Sequence, residues 1–201
     1  MSATALGLNI LVSGLAFFVF SKARHIFWNI TLPFIVTSVP CAFLGGWMRV
    51  PVRFYNWLLA GALFFACFRM LLNESKGKND TEPPSLAMSA LVGSVIGLIS
   101  GIVGVGGGIF LSPILILFRW ADPKKTAATS AFFILVNSIA GLAGKFWRGG
   151  VDFAPHLILL ALAAFAGGIA GSTLGARRFS NMTLRRILAF VLFFAGLKLI
   201  R

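Results

Sequence analysis

Gly104-Val105-Gly106-Gly107-Gly108 interrupts an otherwise apolar stretch running from Ala87 to Phe118. Inside a bilayer every N–H and C=O needs an internal partner, so irregular backbone survives only where protein buries it or a watery cavity solvates it. Glycine has no Cβ to restrict the turn or to keep a ligand away from the main chain. The run therefore predicts a helix broken at membrane depth, a device that builds substrate sites from the ends of half-helices.

The bilayer itself is read from composition. The chain is 58% hydrophobic and 11% charged, with mean hydropathy +0.92, which excludes an ordinary soluble domain. The expected fold class is all-α, a polytopic membrane helix bundle. All five acids, Glu74, Asp80, Glu82, Asp122 and Asp152, fall in candidate loops, so ion relays built on intramembrane carboxylates are not expected. The net charge of +13 comes from Lys and Arg at the ends of apolar runs, a placement that fits membrane flanks and argues against nucleic acid as a partner. Cys41 and Cys67 lie in different apolar segments and read as small buried hydrophobes. His25 and His156 stand at span edges, where an amphipathic ring is at home. Neither a disulfide, a metal site nor a cofactor is expected.

Apolar runs able to cross about 30 Å of hydrocarbon occur at Ala3–Phe20, Ile26–Met48, Phe54–Leu72, Ala87–Phe118, Ala127–Phe146, Phe153–Ala176 and Leu184–Ile200. The polar stretch Asn73 to Pro84 divides them. The resulting organisation is an N-terminal repeat over 1–73, a linker over 74–86 and a C-terminal repeat over 87–201. A shift of 125 aligns Ala3-Thr4 with Ala128-Thr129, Ser13 with Ser138 and Gly46 with Gly171, which predicts two related halves. Under that alignment the first half lacks a counterpart of Ala87–Lys125. The expectation is a chain missing its first segment, with a seven-segment variant as the alternative.

The pattern from Gly97 to Pro113, with its glycine run, followed by Ala127-Ala128-Thr129-Ser130 and Asn137, resembles the TauE/SafE family of sulfite and organosulfonate exporters. Ala3-Thr4-Ala5 with Asn9 is similar to the same element of the N-terminal repeat, although Asn9 is three residues out of register with Asn137. The resemblance implies a multi-pass protein of a bacterial-type inner membrane with duplicated halves, moving sulfur-containing anions or small organic acids. Besides the bilayer and a small anionic substrate, it leaves room for self-association into a homo-oligomer.

On this reading a second helical piece starts within the membrane at Gly106, Gly107 and Gly108 and turns its unpaired amides toward an anion. Ser112, Thr129, Ser130, Asn137 and Ser138 supply neutral donors from adjacent helices, with Thr4 and Asn9 playing the matching parts in the first half. Simpler roles compete for each. Gly97, Gly101 and Gly104, at steps of four and three, suit close helix packing. A single hydroxyl is more often helix glue, worth under about 1 kcal/mol. Asn137 suits either a structural clamp or a ligand contact, because a buried amide must find partners. Pro33 and Pro40 fall inside the second span, and Trp28, Trp47, Trp57, Trp120 and Trp147 read as interface anchors. A dinucleotide fingerprint starting at Gly104 needs glycine where Ile109 stands, and no Walker lysine follows. No span carries an acid pair, a His cluster or a serine with a base, so the chain is not expected to be an enzyme.

Charge counting tests the path of the glycine segment. A simple crossing gives each side nine Lys and Arg and hence no orientation. A segment that enters, breaks and returns puts twelve on one side, including Lys22, Arg119, Lys124, Lys125, Arg177 and Arg178, and six on the other, including Lys145 and Arg148. That asymmetry is the one expected of a cytoplasmic face. Two functions follow: a carrier or channel for small anions such as sulfite, sulfonates or short carboxylates, or a non-transporting or truncated subunit that needs a partner to complete the fold.

Overall fold

The computed structural model describes residues 2–23, 25–48, 83–149 and 157–191, except 185 and 189. The expected span 54–72, most of the linker, Trp57, His156 and the end of the last segment lie outside these residues. The described chain is helical: α1 Ser2–Lys22, α2 Trp28–Trp47, α3 Leu86–Val103, α4 Gly108–Leu117, α5 Pro123–Trp147 and α6 Leu157–Thr173, followed by a π-helical turn at Leu174–Arg178. Among the described residues five helices are long and apolar enough to span a bilayer, and α4 is shorter. Local chemistry sets the starts. Ser85 caps α3 by accepting from the Met88 amide at 3.3 Å. Asp122 caps α5 by accepting from the Lys124 and Lys125 amides at 3.1 and 2.9 Å, with Pro123 in the first turn where a missing N–H is harmless.

Small residues decide the packing. A Cβ on Gly93 would meet Thr37 Oγ1 and the Phe34 carbonyl at 2.6 Å, one on Gly97 would meet Ser38, and one on Gly101 would meet Ala42. The contacts advance together along both helices, so α2 and α3 run parallel with their backbones touching. Thr31 faces Thr129, Gly46 faces Gly141 and Phe43 faces Gly144, so α5 is parallel to both. In contrast, α1 runs antiparallel to α5: Leu6 lies near Gly141, Gly14 near Leu135, and the Phe17 and Phe132 rings stack with centroids 4.5 Å apart. Gly168 lies beside Val12 and Leu15, and Gly175 beside Phe20, so α6 runs parallel to α1.

The parallel course of α3 and α5 fixes what lies between them. Since α5 begins at the end where α3 began, the chain must come back, and α4 is the return. Gly106 packs near Ser138, Gly108 near Ile134, and Ser112 near Ser130, so α4 descends antiparallel to α5. A 10-residue helix is about 15 Å long, half the hydrocarbon thickness. Gly101 lies level with Gly141 and α3 runs on to Val103, so the turn forms near the far end of α5 before Gly106 steps back beside Ser138. Thus α3 and α4 form a hairpin whose two ends lie at the same end of the bundle. Its inner side joins Leu111 and Leu115 to Ile30, Phe34, Ile96 and Phe133 in one buried cluster. Lys22, Arg119, Lys124, Lys125, Arg177 and Arg178 gather at the end where α5 starts. There the Lys125 ammonium sits 4.5 Å from the Phe27 ring centroid. Lys145 and Arg148 lie at the other end, where the Arg148 guanidinium donates to the Met48 carbonyl at 3.0 Å.

Candidate functional site

The tip of the hairpin is built by three left-handed glycines. Gly104 has φ 79°, Gly106 φ 77° and Gly107 φ 76°, values that cost an L residue about 1–2 kcal/mol each. Gly104 ends α3 as its left-handed cap, its amide donating to the Ser100 carbonyl at 2.8 Å. Gly104 thus has a conformational role besides the packing expected from its spacing, while Gly97 and Gly101 pack against α2 as expected. Gly107 caps α4, whose Phe110 and Leu111 amides both turn back to the Gly107 carbonyl at 3.1 Å. Among the described residues, the amides of Gly106, Gly107, Gly108 and Ile109 make no backbone hydrogen bond outside the helices. They are the unpaired donors of a helix N-terminus, carrying the positive end of its dipole.

All three of Gly106, Gly107 and Gly108 are buried, and α5 covers them. A Cβ on Gly106 would come within 2.7 Å of Ile134 Cγ2, 2.8 Å of Ser138 Oγ and 3.2 Å of Asn9 Nδ2. One on Gly107 would come within 2.8 Å of the Phe133 ring and 3.1 Å of Ser100 Cβ, and one on Gly108 would run into Ile134. The absent side chains leave room for α5 to press on the turn. The glycines thus serve both conformation and contact.

Polar atoms collect around this turn without partners. Ser100 Oγ, Asn137 Oδ1 and Ser138 Oγ are buried and make no hydrogen bond, although their residues are 0% exposed. Leaving a buried polar atom unpaired costs about 1–3 kcal/mol, so each of these three atoms calls for an explanation; Ser100 and Ser138 lie directly against the turn. Asn137 lies on the α5 stripe between Phe133, which touches Gly107, and Gly141, whose Cβ position is 3.4 Å from the Gly101 Cα. Its amide donates to the Phe133 carbonyl at 2.9 Å.

The other residues expected from sequence divide. Asn9 reaches the turn from α1. Ser112 donates to Ser130 at 2.8 Å, and Thr129 pairs with Thr31 at 3.0 Å, Thr31 also donating to the Phe27 carbonyl at 2.9 Å. These two pairs tie helices together; Ser130, the acceptor of its pair, keeps its own hydroxyl proton. Thr4 is buried in the first turn of α1, more than a turn before Asn9. Ser100 was missed; the signal was a serine one helical turn ahead of the helix-ending Gly104. Among the described residues no group of His, Cys, Asp or Glu has the arrangement to hold a metal.

A family model described as Sulfite exporter TauE/SafE matches residues 1–199. The chain belongs to the TauE/SafE family. It is 34% identical over 203 residues to a protein of Sinorhizobium fredii named "Probable membrane transporter protein y4hK", covering 98% of this chain and 81% of that protein. It is 33% identical over 126 residues to "Probable membrane transporter protein YunE" of Bacillus subtilis, covering 59% and 44%. Over 86 residues it is 34% identical to "Sulfite exporter TauE/SafE family protein 1" of Arabidopsis thaliana, covering 43% and 18%. No solved structure gives a significant match. With its apolar helices, the TauE/SafE chain is a multi-pass membrane protein of a transporter family.

Proposed function

We propose that this chain carries small anions of the sulfite, sulfonate or short carboxylate kind across the inner cell membrane, binding them at the hairpin tip. The observation that carries this reading is the meeting of four unpaired amides at the start of α4, three of them on buried glycines, with the buried, unpartnered Ser100 and Ser138 hydroxyls. Backbone amides and hydroxyls are neutral donors. They compensate an anion through the helix dipole without fixing it as a buried guanidinium would. Ile134 and Phe133 lie over the glycines, so an anion reaches the amides when α5 shifts away from the tip. The basic end bearing Lys22, Lys124 and Lys125 faces the cytoplasm on this reading, and the hairpin enters from that side.

The test is flux of radiolabelled sulfite and taurine in vesicles holding the wild-type chain, Ser100→Ala or Ser138→Ala, with empty vesicles as baseline. Wild type is expected to move at least one of these sulfur oxyacid compounds, and each variant to slow it about tenfold, in line with loss of one hydrogen bond to a charged group. Absence of flux in wild type, or unchanged flux in both variants at equal membrane abundance, rejects the reading.

A further inference from the structure

Of the three unpartnered atoms, the Ser100 and Ser138 hydroxyls, which either donate or accept, lie against the turn, and Asn137 lies beside it on the α5 stripe between Phe133 and Gly141. The third, Asn137 Oδ1, only accepts. Its identity is fixed by its neighbour: the Phe133 carbonyl accepts 2.9 Å away, so the nitrogen of the Asn137 amide must face it. Oδ1 is left projecting from a residue that is 0% exposed, with no donor. An anion presenting only acceptor oxygens satisfies the free amides and the serines but leaves Oδ1 bare, and sets one lone-pair group near another.

We propose that Asn137 makes this site selective for anions that bring their own hydrogen-bond donor, such as a hydroxyl, an ammonium or an acid proton, over anions of equal charge and size that lack one. The inference rests on the anion-binding reading above and deepens it. The anionic group meets the amides of Gly106 to Ile109, while the donor meets Asn137 Oδ1 on the facing side of the turn. Asn137 is then a specificity residue, and discrimination arises because the wrong ligand leaves a buried acceptor unpaired.

The probes are 2-hydroxyethanesulfonate and propane-1-sulfonate, which share charge and length and differ by a hydroxyl in place of a methyl. Counterflow in proteoliposomes with wild type is expected to favour the hydroxyl compound about tenfold, within the range expected for one unpaired buried acceptor. In Asn137→Leu the ratio is expected to fall to about one. Thermal stabilisation of the wild-type protein in detergent by the same two compounds gives a reading that needs no variant, with the hydroxyl compound expected to protect at lower concentration. Equal transport and equal protection by both compounds in wild type overturns the selectivity while leaving the anion site standing; a water resident on Oδ1 would give that result. A preference that persists in folded Asn137→Leu also overturns it. Movement and protection by neither compound rejects the anion site and this inference together.

Discussion

If α5 rests on the glycine turn, adding one methyl there must cost energy that a deletion on α5 partly restores. In Gly106→Ala the new carbon would sit 2.7 Å from Ile134 Cγ2 and 2.8 Å from Ser138 Oγ, well inside ordinary contact. Keeping φ at 77° costs about 1–2 kcal/mol for alanine, and overpacking adds about 1–3 kcal/mol, for a total of about 2–5 kcal/mol. Ile134→Ala alone removes a half-buried side chain, at the lower end of the core-deletion range, about 2 kcal/mol. The backbone cost does not depend on Ile134, but the overpacking does. The double variant should therefore be more stable than the sum of the two singles by about 1–2 kcal/mol. Unfolding of the four proteins by SDS titration in mixed micelles measures this cycle. Additivity within about 0.5 kcal/mol would mean that Ile134 does not press on the turn, and the account of the covered glycines would fail.

Other expectations follow from the same geometry. Gly101→Ala forces a methyl against the Ala42 backbone, which no side-chain rotation relieves, and should lower the thermal midpoint sharply, whereas Gly167→Ala, with nothing within 4 Å, should raise stability by about 1 kcal/mol; the reverse order in a detergent melt would refute the parallel α2–α3 seam. Removing the unpartnered hydroxyl in Ser138→Ala should leave apo stability equal or about 1 kcal/mol higher while flux falls, and a loss of apo stability of that size would show a structural bond instead. Thr129→Ala should cost under about 1 kcal/mol and leave flux near wild type, a large loss of flux placing Thr129 in the site after all. Single cysteines at Lys124 and Arg148 should react with an impermeant maleimide from opposite sides of the membrane, and labelling from one side would reject the course drawn for α5.

Helix positions were legible because span length and hydropathy are local properties of the chain. The expected run Ile26–Met48 became α2 at Trp28–Trp47, and the described part of Phe153–Ala176 holds α6 at Leu157–Thr173. The break was legible too, since consecutive glycines oppose a continuous helix. Which glycine does what was not. Gly97, Gly101 and Gly104 share a helical spacing, yet the first two press on the backbone of α2 within the helix while the third takes φ 79° and ends it. Likewise Gly46 meets Gly141 closely while Gly171, its counterpart under the shift of 125, has nothing within 4 Å. Equivalence in sequence does not carry equivalence of contact.

The site shows the same division more sharply. Ser112, Thr129 and Ser130 carry the same hydroxyl as Ser100 and Ser138, and sequence offers no reason to separate them. Partnership does: Ser112 finds Ser130, and Thr129 finds Thr31, so each of these hydroxyls already has a hydrogen bond, whereas Ser100 and Ser138 have none. A donor or acceptor that folding buries and leaves alone is the one that gains most from a ligand. That condition is set by the return of α4 beside α5, which places Ser138 against Gly106 and Ser100 against Gly107. The hairpin thereby makes two things at once, a row of free amides and a set of side chains that cannot satisfy themselves. Satisfying one without the other would leave the tip either a repulsive nest or a polar void in a bilayer. A ligand with both acceptors and a donor answers both, and this is why the selectivity assigned to Asn137 follows from the fold rather than from the residue type.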